Sequence, residues 1–162
     1  MLRRERRVST GATRPHVVVR PADPDDAEAW LQQRHALWPA EGDAHANDVA
    51  GYFGSGVPGL DRVLIAWDDE VMAGFAELSI RPYAEGCDTR AVGFLEGWYV
   101  APAYRQHGVG RSLVSAAEQW ARSQGCREFA SDAEPENELG RAAHLGCGFE
   151  EVGLVRCFRK SL

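Results

Sequence analysis

The chain has 162 residues, 44% of them hydrophobic, which is enough for one well-filled core and too little for two comfortable domains. Its formal charge is −6, yet residues 1–16 hold five arginines against Glu5, a local +4, so the remainder carries −10. A body that acidic repels nucleic-acid phosphates and attracts small cations, while no run reaches membrane-span length and the arginine-rich start lacks the apolar segment of a secretory signal.

The four cysteines, Cys87, Cys126, Cys147 and Cys157, form no CxxC pair and lie near no histidine ligand pattern, so no metal site is expected. They read as reduced thiols of a cytoplasmic protein. Residues 1–16 combine arginines with Ser9, Thr10 and Gly11 and show no apolar period, the composition of a disordered extension, and the folded domain is expected over residues 17–162.

Val17 to Arg20 is a short strand, and Asp23 with Asp25 supplies a turn and a helix N-cap. Ala27, Trp30, Leu31, Arg34 and Leu37 recur at helical spacing until Pro39 ends the helix, and a second helix covers His45 to Phe53. Arg62 to Trp67 and Val71 to Ile80 form a hairpin across Asp68, Asp69 and Glu70. A loop from Arg81 to Ala91 leads into a central strand that stops near Val100, because Pro102 cannot extend a ladder. Leu113, Val114, Ala117, Trp120 and Ala121 make the apolar stripe of a third long helix, with Gly125 as its C-terminal cap. A strand from Arg127 to Ser131, a helix from Leu139 to Leu145 and a closing strand from Val152 to Lys160 complete an α/β layer fold with a mixed sheet.

The informative stretch lies between the central strand and the third long helix. Arg105, Gln106, His107, Gly108, Val109 and Gly110 place two glycines one residue apart just before a helix, where backbone amides can approach a ligand and the helix start favours negative charge. That is a seat for a pyrophosphate. It is neither a Walker loop nor GxGxxG. Glu96, in an otherwise apolar strand, needs either an arginine partner or a ligand, and plain alternation puts Phe94, Glu96, Trp98 and Val100 on one face. Asp132, at the end of the next strand, either faces the same region or caps the helix that follows.

Arg105, Gly108 and Gly110, preceded by Val100 and Pro102, resemble the R/Q-x-x-G-x-G/A signature of the GCN5-related N-acetyltransferases. The blocks around His35 to Trp38, Gly86 to Asp88, Phe94 to Gly97, Gly125 to Glu128, Ser131 to Asn137 and Gly148 to Glu151 resemble one branch of that family, the aminoglycoside 6′-N-acetyltransferases. The resemblance implies a mostly antiparallel sheet flanked by about four helices and splayed beside its central strand. It also implies acetyl-CoA as cosubstrate, an aminoglycoside as the cationic acceptor and a homodimer. It assigns the coenzyme to Tyr99, Val100, Arg105, Gln106, His107, Gly108, Val109, Gly110, Arg111, Ser112 and Asn137, with the Val100 amide as oxyanion donor. Trp38, Tyr83, Glu96 and Asp132 would form the acceptor site, one of the carboxylates taking the proton. Many relatives have a tyrosine as acid for the departing thiolate, and His144 stands there in this chain, able to donate a proton or merely to pack. Two alternatives stay open: acetylation of a protein N-terminus, a lysine or a polyamine, and a sensor that binds acetyl-CoA without turnover.

Overall fold

A computed structural model describes residues 16–40 and 42–162; the extension expected over residues 1–16 falls outside them except for His16. Five strands form one sheet in the order β1-β2-β3-β4-β5: Val17–Pro21, Arg62–Asp68, Val71–Arg81, Val92–Val100 and Glu128–Ser131. The first four run antiparallel to their neighbours, and β5 lies parallel to β4. The helices are α1 (Ala27–Leu37), α2 (Ala44–Phe53), α3 (Val109–Ser123) and α4 (Glu138–Gly146). The mixed sheet with four helices is the architecture expected from the sequence, and none of the helices among the described residues is long and apolar enough to cross a membrane.

The strand β3 is buried along nearly its whole length because both of its faces are covered. On one face α1 and α2 bring Trp30 and Val49 against Val63, Ile65 and Phe75. Trp30 is fully buried and meets Tyr52 and Phe53 edge-on, so its truncation to alanine would cost about 3–5 kcal/mol. On the other face the α3 stripe of Leu113, Val114 and Ala117 packs on Leu64, Ala76, Leu78 and Leu95. Gly125 takes φ +85° just past the end of α3, as its position after the stripe predicts.

Two features of the sheet depart from the sequence reading. A bulge lies where Glu77 pairs with Gly97 and Leu78 with Leu95, which leaves Glu96 as the extra residue on β4. The face of β4 therefore switches there: Phe94 and Glu96 lie on the α1 side, whereas Trp98 and Val100 pack with the α3 cluster. The closing strand does not form. Residues 151–162 pair with no strand among the described residues, and Leu154, Val155 and Phe158 are exposed, the last by 92%. Their β propensity finds no ladder to join among the described residues.

Candidate active site

The site is built where β4 outruns β5. Their pairing ends at Leu95 with Ser131, so β4 from Glu96 to Val100 has no strand on that side among the described residues. Backbone alternation decides which groups face the resulting gap. The Ala101 amide donates to the Ala73 carbonyl on β3 at 2.9 Å, which turns the Val100 amide the other way, into the gap. The same alternation sends the Tyr99 amide and carbonyl to Phe75 on β3, so Trp98 and Val100, rather than Tyr99, carry the free edge. The Val100 carbonyl is already taken, accepting from Arg105 Nε at 2.9 Å.

Beyond the gap the chain makes the expected turn into α3. Gln106 and Gly108 both take positive φ, at 63° and 89°, and α3 starts at Val109. The amides of Gln106, His107 and Gly108 meet no backbone acceptor among the described residues, and the first helical amides after them have none by construction. The Ser112 amide is spent on the Gly108 carbonyl at 3.0 Å. The Arg105 guanidinium lies over the Tyr99 ring, while Arg111 points away and donates to the Gly146 carbonyl on α4 at 2.7 Å. The Asn137 side chain accepts from the Gly140 amide at 2.8 Å and so caps α4. His107 Nδ1 lies 2.8 Å from the Arg105 carbonyl. Gly110 packs directly under the Trp98 indole, whose buried Nε1 has no hydrogen-bond partner among the described residues.

On the α1 face a cleft of about 290 Å³ is lined by Arg34, Trp38, Asp48, Glu77 and Glu96, with the 57–60 loop as its rim. Glu96 has the arginine partner that its place in an apolar strand calls for: Arg81 grips both of its oxygens, and the Ser79 hydroxyl donates to one of them. It reaches the cleft all the same. Trp38 lies against Gly97, where any side chain would collide with its ring, and so forms a wall beside Glu96. Tyr83 does not: it is 61% exposed, donates to Glu85 at 2.6 Å and lies outside the cleft.

Sequence reasoning missed Glu77, Arg34 and Asp48. Arg34 Nη1 donates to Asp48 at 3.0 Å, and its Nε lies 3.0 Å from Glu77 Oε1, which also accepts from the Trp30 indole at 2.8 Å. Burial pushes the Glu77 carboxyl up to about 7 against the pull of Arg34 and the Trp30 hydrogen bond. The folded chain thus keeps a proton that the unfolded chain has lost, so stability is highest below the ordinary carboxylate range and falls as pH rises through 7. That loss is up to about 3 kcal/mol. The melting temperature of the ligand-free protein is expected to fall between pH 5 and 7.5 by several degrees more than that of Glu77→Gln.

Asp132 follows the last residue of β5 at the mouth of the gap. Its carboxylate is exposed and has no hydrogen bond or ion pair among the described residues; the capping duty falls to Asn137 instead. His144 sits at the base of the gap, its Nδ1 2.7 Å from the Gly140 carbonyl and its Nε2 2.9 Å from the Ser131 hydroxyl. A carbonyl only accepts, so Nδ1 carries a proton. The ring meets Trp98 and Phe149 edge-on. Among the described residues no group of three or more metal-ligating side chains is brought together.

The model for the acetyltransferase (GNAT) family matches residues 13–149. The chain belongs to that family. It is 49% identical to an aminoglycoside N(6′)-acetyltransferase type 1 of Klebsiella aerogenes over 90% of this chain and 97% of the relative. It is also 43% identical to a protein of the same name from Stenotrophomonas maltophilia, over 89% and 93% of the two chains. Among solved structures, AAC(6′)-Iy in complex with a bisubstrate analog, CoA-S-monomethyl-acetylneamine, superposes with a TM-score of 0.83 at 40% identity, covering 91% of this chain and 99% of that one. AAC(6′)-Ih from Acinetobacter baumannii superposes with a TM-score of 0.82 at 34% identity, over 90% and 99%.

Proposed function

We propose that the chain is an aminoglycoside 6′-N-acetyltransferase that transfers acetyl directly from acetyl-CoA to the 6′-amine. The observation that carries this reading is the cleft of Asp48, Glu77 and Glu96 against Trp38, beside the point where β4 leaves β5. A polycationic sugar needs carboxylates and an aromatic wall, and the rest of the acidic body offers nucleic acid no purchase. A peptide substrate would want an open groove, and a sensor would have no use for these acids. Mass spectrometry of a 4,6-linked aminoglycoside incubated with the protein and acetyl-CoA tests it. One added acetyl on the 6′-nitrogen is expected, and none, or one on another nitrogen, refutes the reading.

The amides of Gln106 to Arg111 hold the coenzyme pyrophosphate with Arg105 beside them, and the free edge of Trp98 and Val100 pairs with its amide-bearing arm. The buried Trp98 Nε1 adds a donor awaiting an acceptor. The Val100 amide donates to the thioester oxygen as the carbon becomes tetrahedral. Glu96 orients the substrate, and Asp132 takes the proton of the attacking ammonium through water. For the departing thiolate, the Ser131 hydroxyl gives up its proton and takes one from Nε2 of the His144 imidazolium, which is left neutral with its Nδ1 proton on the Gly140 carbonyl. His144→Ala and Ser131→Ala are each expected to slow single turnover by about 100-fold. An unchanged chemical step in His144→Ala would leave protonation to water.

The protein acts in the cytoplasm, where acetyl-CoA is available, and as a homodimer. Support for the dimer comes from the exposed apolar segment of Val152, Leu154, Val155 and Phe158, and from the outer edge of β5, unpaired among the described residues. Size-exclusion chromatography with light scattering is expected to give twice 17.8 kDa, and removal of residues 153–162 to give the monomer.

A further inference from the structure

Of the two cleft carboxylates to which this chemistry gives no role of their own, Asp48 accepts from Arg34 and Glu77 is the deeper. It is only 3% exposed, yet it lines the cleft with Glu96. The hydrogen bond it accepts, from the Trp30 indole, goes to Oε1, which Arg34 Nε approaches at 3.0 Å as an ion pair without hydrogen-bond geometry, and Oε2 receives no donor among the described residues. Oε2 is thus left without a donor in a carboxyl whose burial disfavours its charge.

The surrounding charges do not relieve it. Arg34 from α1 is shared with Asp48 from α2, and Glu96 on β4 adds a like charge. Ser79 and Arg81, further along β3, are directed to Glu96, and the neighbour on β2 is the apolar Val63. Three carboxylates therefore face two guanidiniums, and the cleft is one cation short.

We propose that Oε2 of Glu77 receives an ammonium group of the aminoglycoside, which makes Glu77 a substrate-binding residue beside Glu96. The inference rests on the aminoglycoside reading. Around pH 7 the free protein holds Glu77 partly protonated. An arriving ammonium stabilises the ionised form, so the carboxyl O–H bond breaks, its proton passes to solvent and the ammonium keeps all of its own. The neutral carboxyl must be ionised at a cost below pH 7 and is already ionised above it, so KM for the aminoglycoside falls as pH rises through 7.

The test is steady-state kinetics from pH 6 to 7.5 on the wild type, Glu77→Gln and Trp30→Phe, with acetyl-CoA and an aminoglycoside that has a free 6′-amine. In Glu77→Gln the aminoglycoside KM should rise about tenfold at pH 7.5 and lose its dependence on pH, with KM for acetyl-CoA unchanged. Trp30→Phe keeps the carboxylate but removes one donor, so the inflection should move to higher pH. It decides alone if Glu77→Gln fails to fold. The proposal is overturned by an aminoglycoside KM within twofold of wild type, by a raised KM that keeps the wild-type pH dependence, as a merely structural role would, or by an inflection unmoved in Trp30→Phe. No turnover by the wild type would overturn the aminoglycoside reading as well, whereas turnover with an indifferent Glu77→Gln would overturn this inference alone.

Discussion

Glu96→Gln is expected to lower kcat/KM for an aminoglycoside by about 100-fold, a loss of about 2.7 kcal/mol, while KM for acetyl-CoA stays within about twofold. The size follows from what one uncharged amide does to the cleft. Glu96 contributes one of three carboxylates, so its neutralisation cancels the net attraction for a cation and removes a charge-assisted acceptor. It also strands Arg81, whose guanidinium is gripped by both Glu96 oxygens and lies over the Phe94 ring. A stranded guanidinium beside the cleft repels the substrate further. The competing explanation, that Glu96 exists only to hold Arg81, makes a different forecast in a double-mutant cycle. If that were so, Arg81→Met with Glu96→Gln would recover wild-type kcat/KM. The expected double variant stays at least tenfold down, because no carboxylate then meets the substrate at that point.

The backbone turn proposed for the coenzyme was legible in the sequence, and the proposed acceptor cleft was legible only in outline. The seat is backbone chemistry, and backbone chemistry is announced by residue type: Pro102 stops the strand, Gly108 takes a left-handed φ of 89°, and the α3 stripe buries Leu113, Val114 and Ala117 as its spacing predicts. The acceptor cleft depends on tertiary register instead. Strict alternation places Glu96 with Trp98, and the one-residue bulge on β4 moves it to the α1 face, which no local pattern signals. Glu77 carried the same signal as Glu96, an acid within a buried apolar strand, and Arg34 lay on the buried stripe of α1. Applied to both, that reasoning would have paired them across 42 intervening positions. Tyr83 came to the acceptor site from the resemblance, and in the structure it is exposed and donates to Glu85. The last strand misled because alternation shows propensity and says nothing of a partner.

Gly110→Val is expected to raise KM for acetyl-CoA at least tenfold while the protein stays folded, and the reason is a single contact. A Cβ on Gly110 would lie 2.7 Å from Cζ2 of Trp98 and 3.5 Å from its Nε1. Real side chains do not approach so closely, so either the indole turns toward the gap or the first turn of α3 withdraws from β4. The first movement puts a ring where the coenzyme arm must lie and disturbs its edge contact with His144. The second displaces the amides that face the pyrophosphate. Neither reaches the hydrophobic stripe deeper in α3, and replacing glycine in a helix returns part of the lost stability, so the cost falls on binding. Gly110→Ala should show the same direction with a smaller rise. Gly108→Ala separates space from strain: nothing lies within 4 Å of a Cβ there, but φ is +89°, so its cost is of order 1 kcal/mol of stability without a collision. If Gly110→Val bound acetyl-CoA as tightly as the wild type, the phosphates would have to sit somewhere other than the start of α3, and the division of the gap into an amide side and a carboxylate side would fall with them.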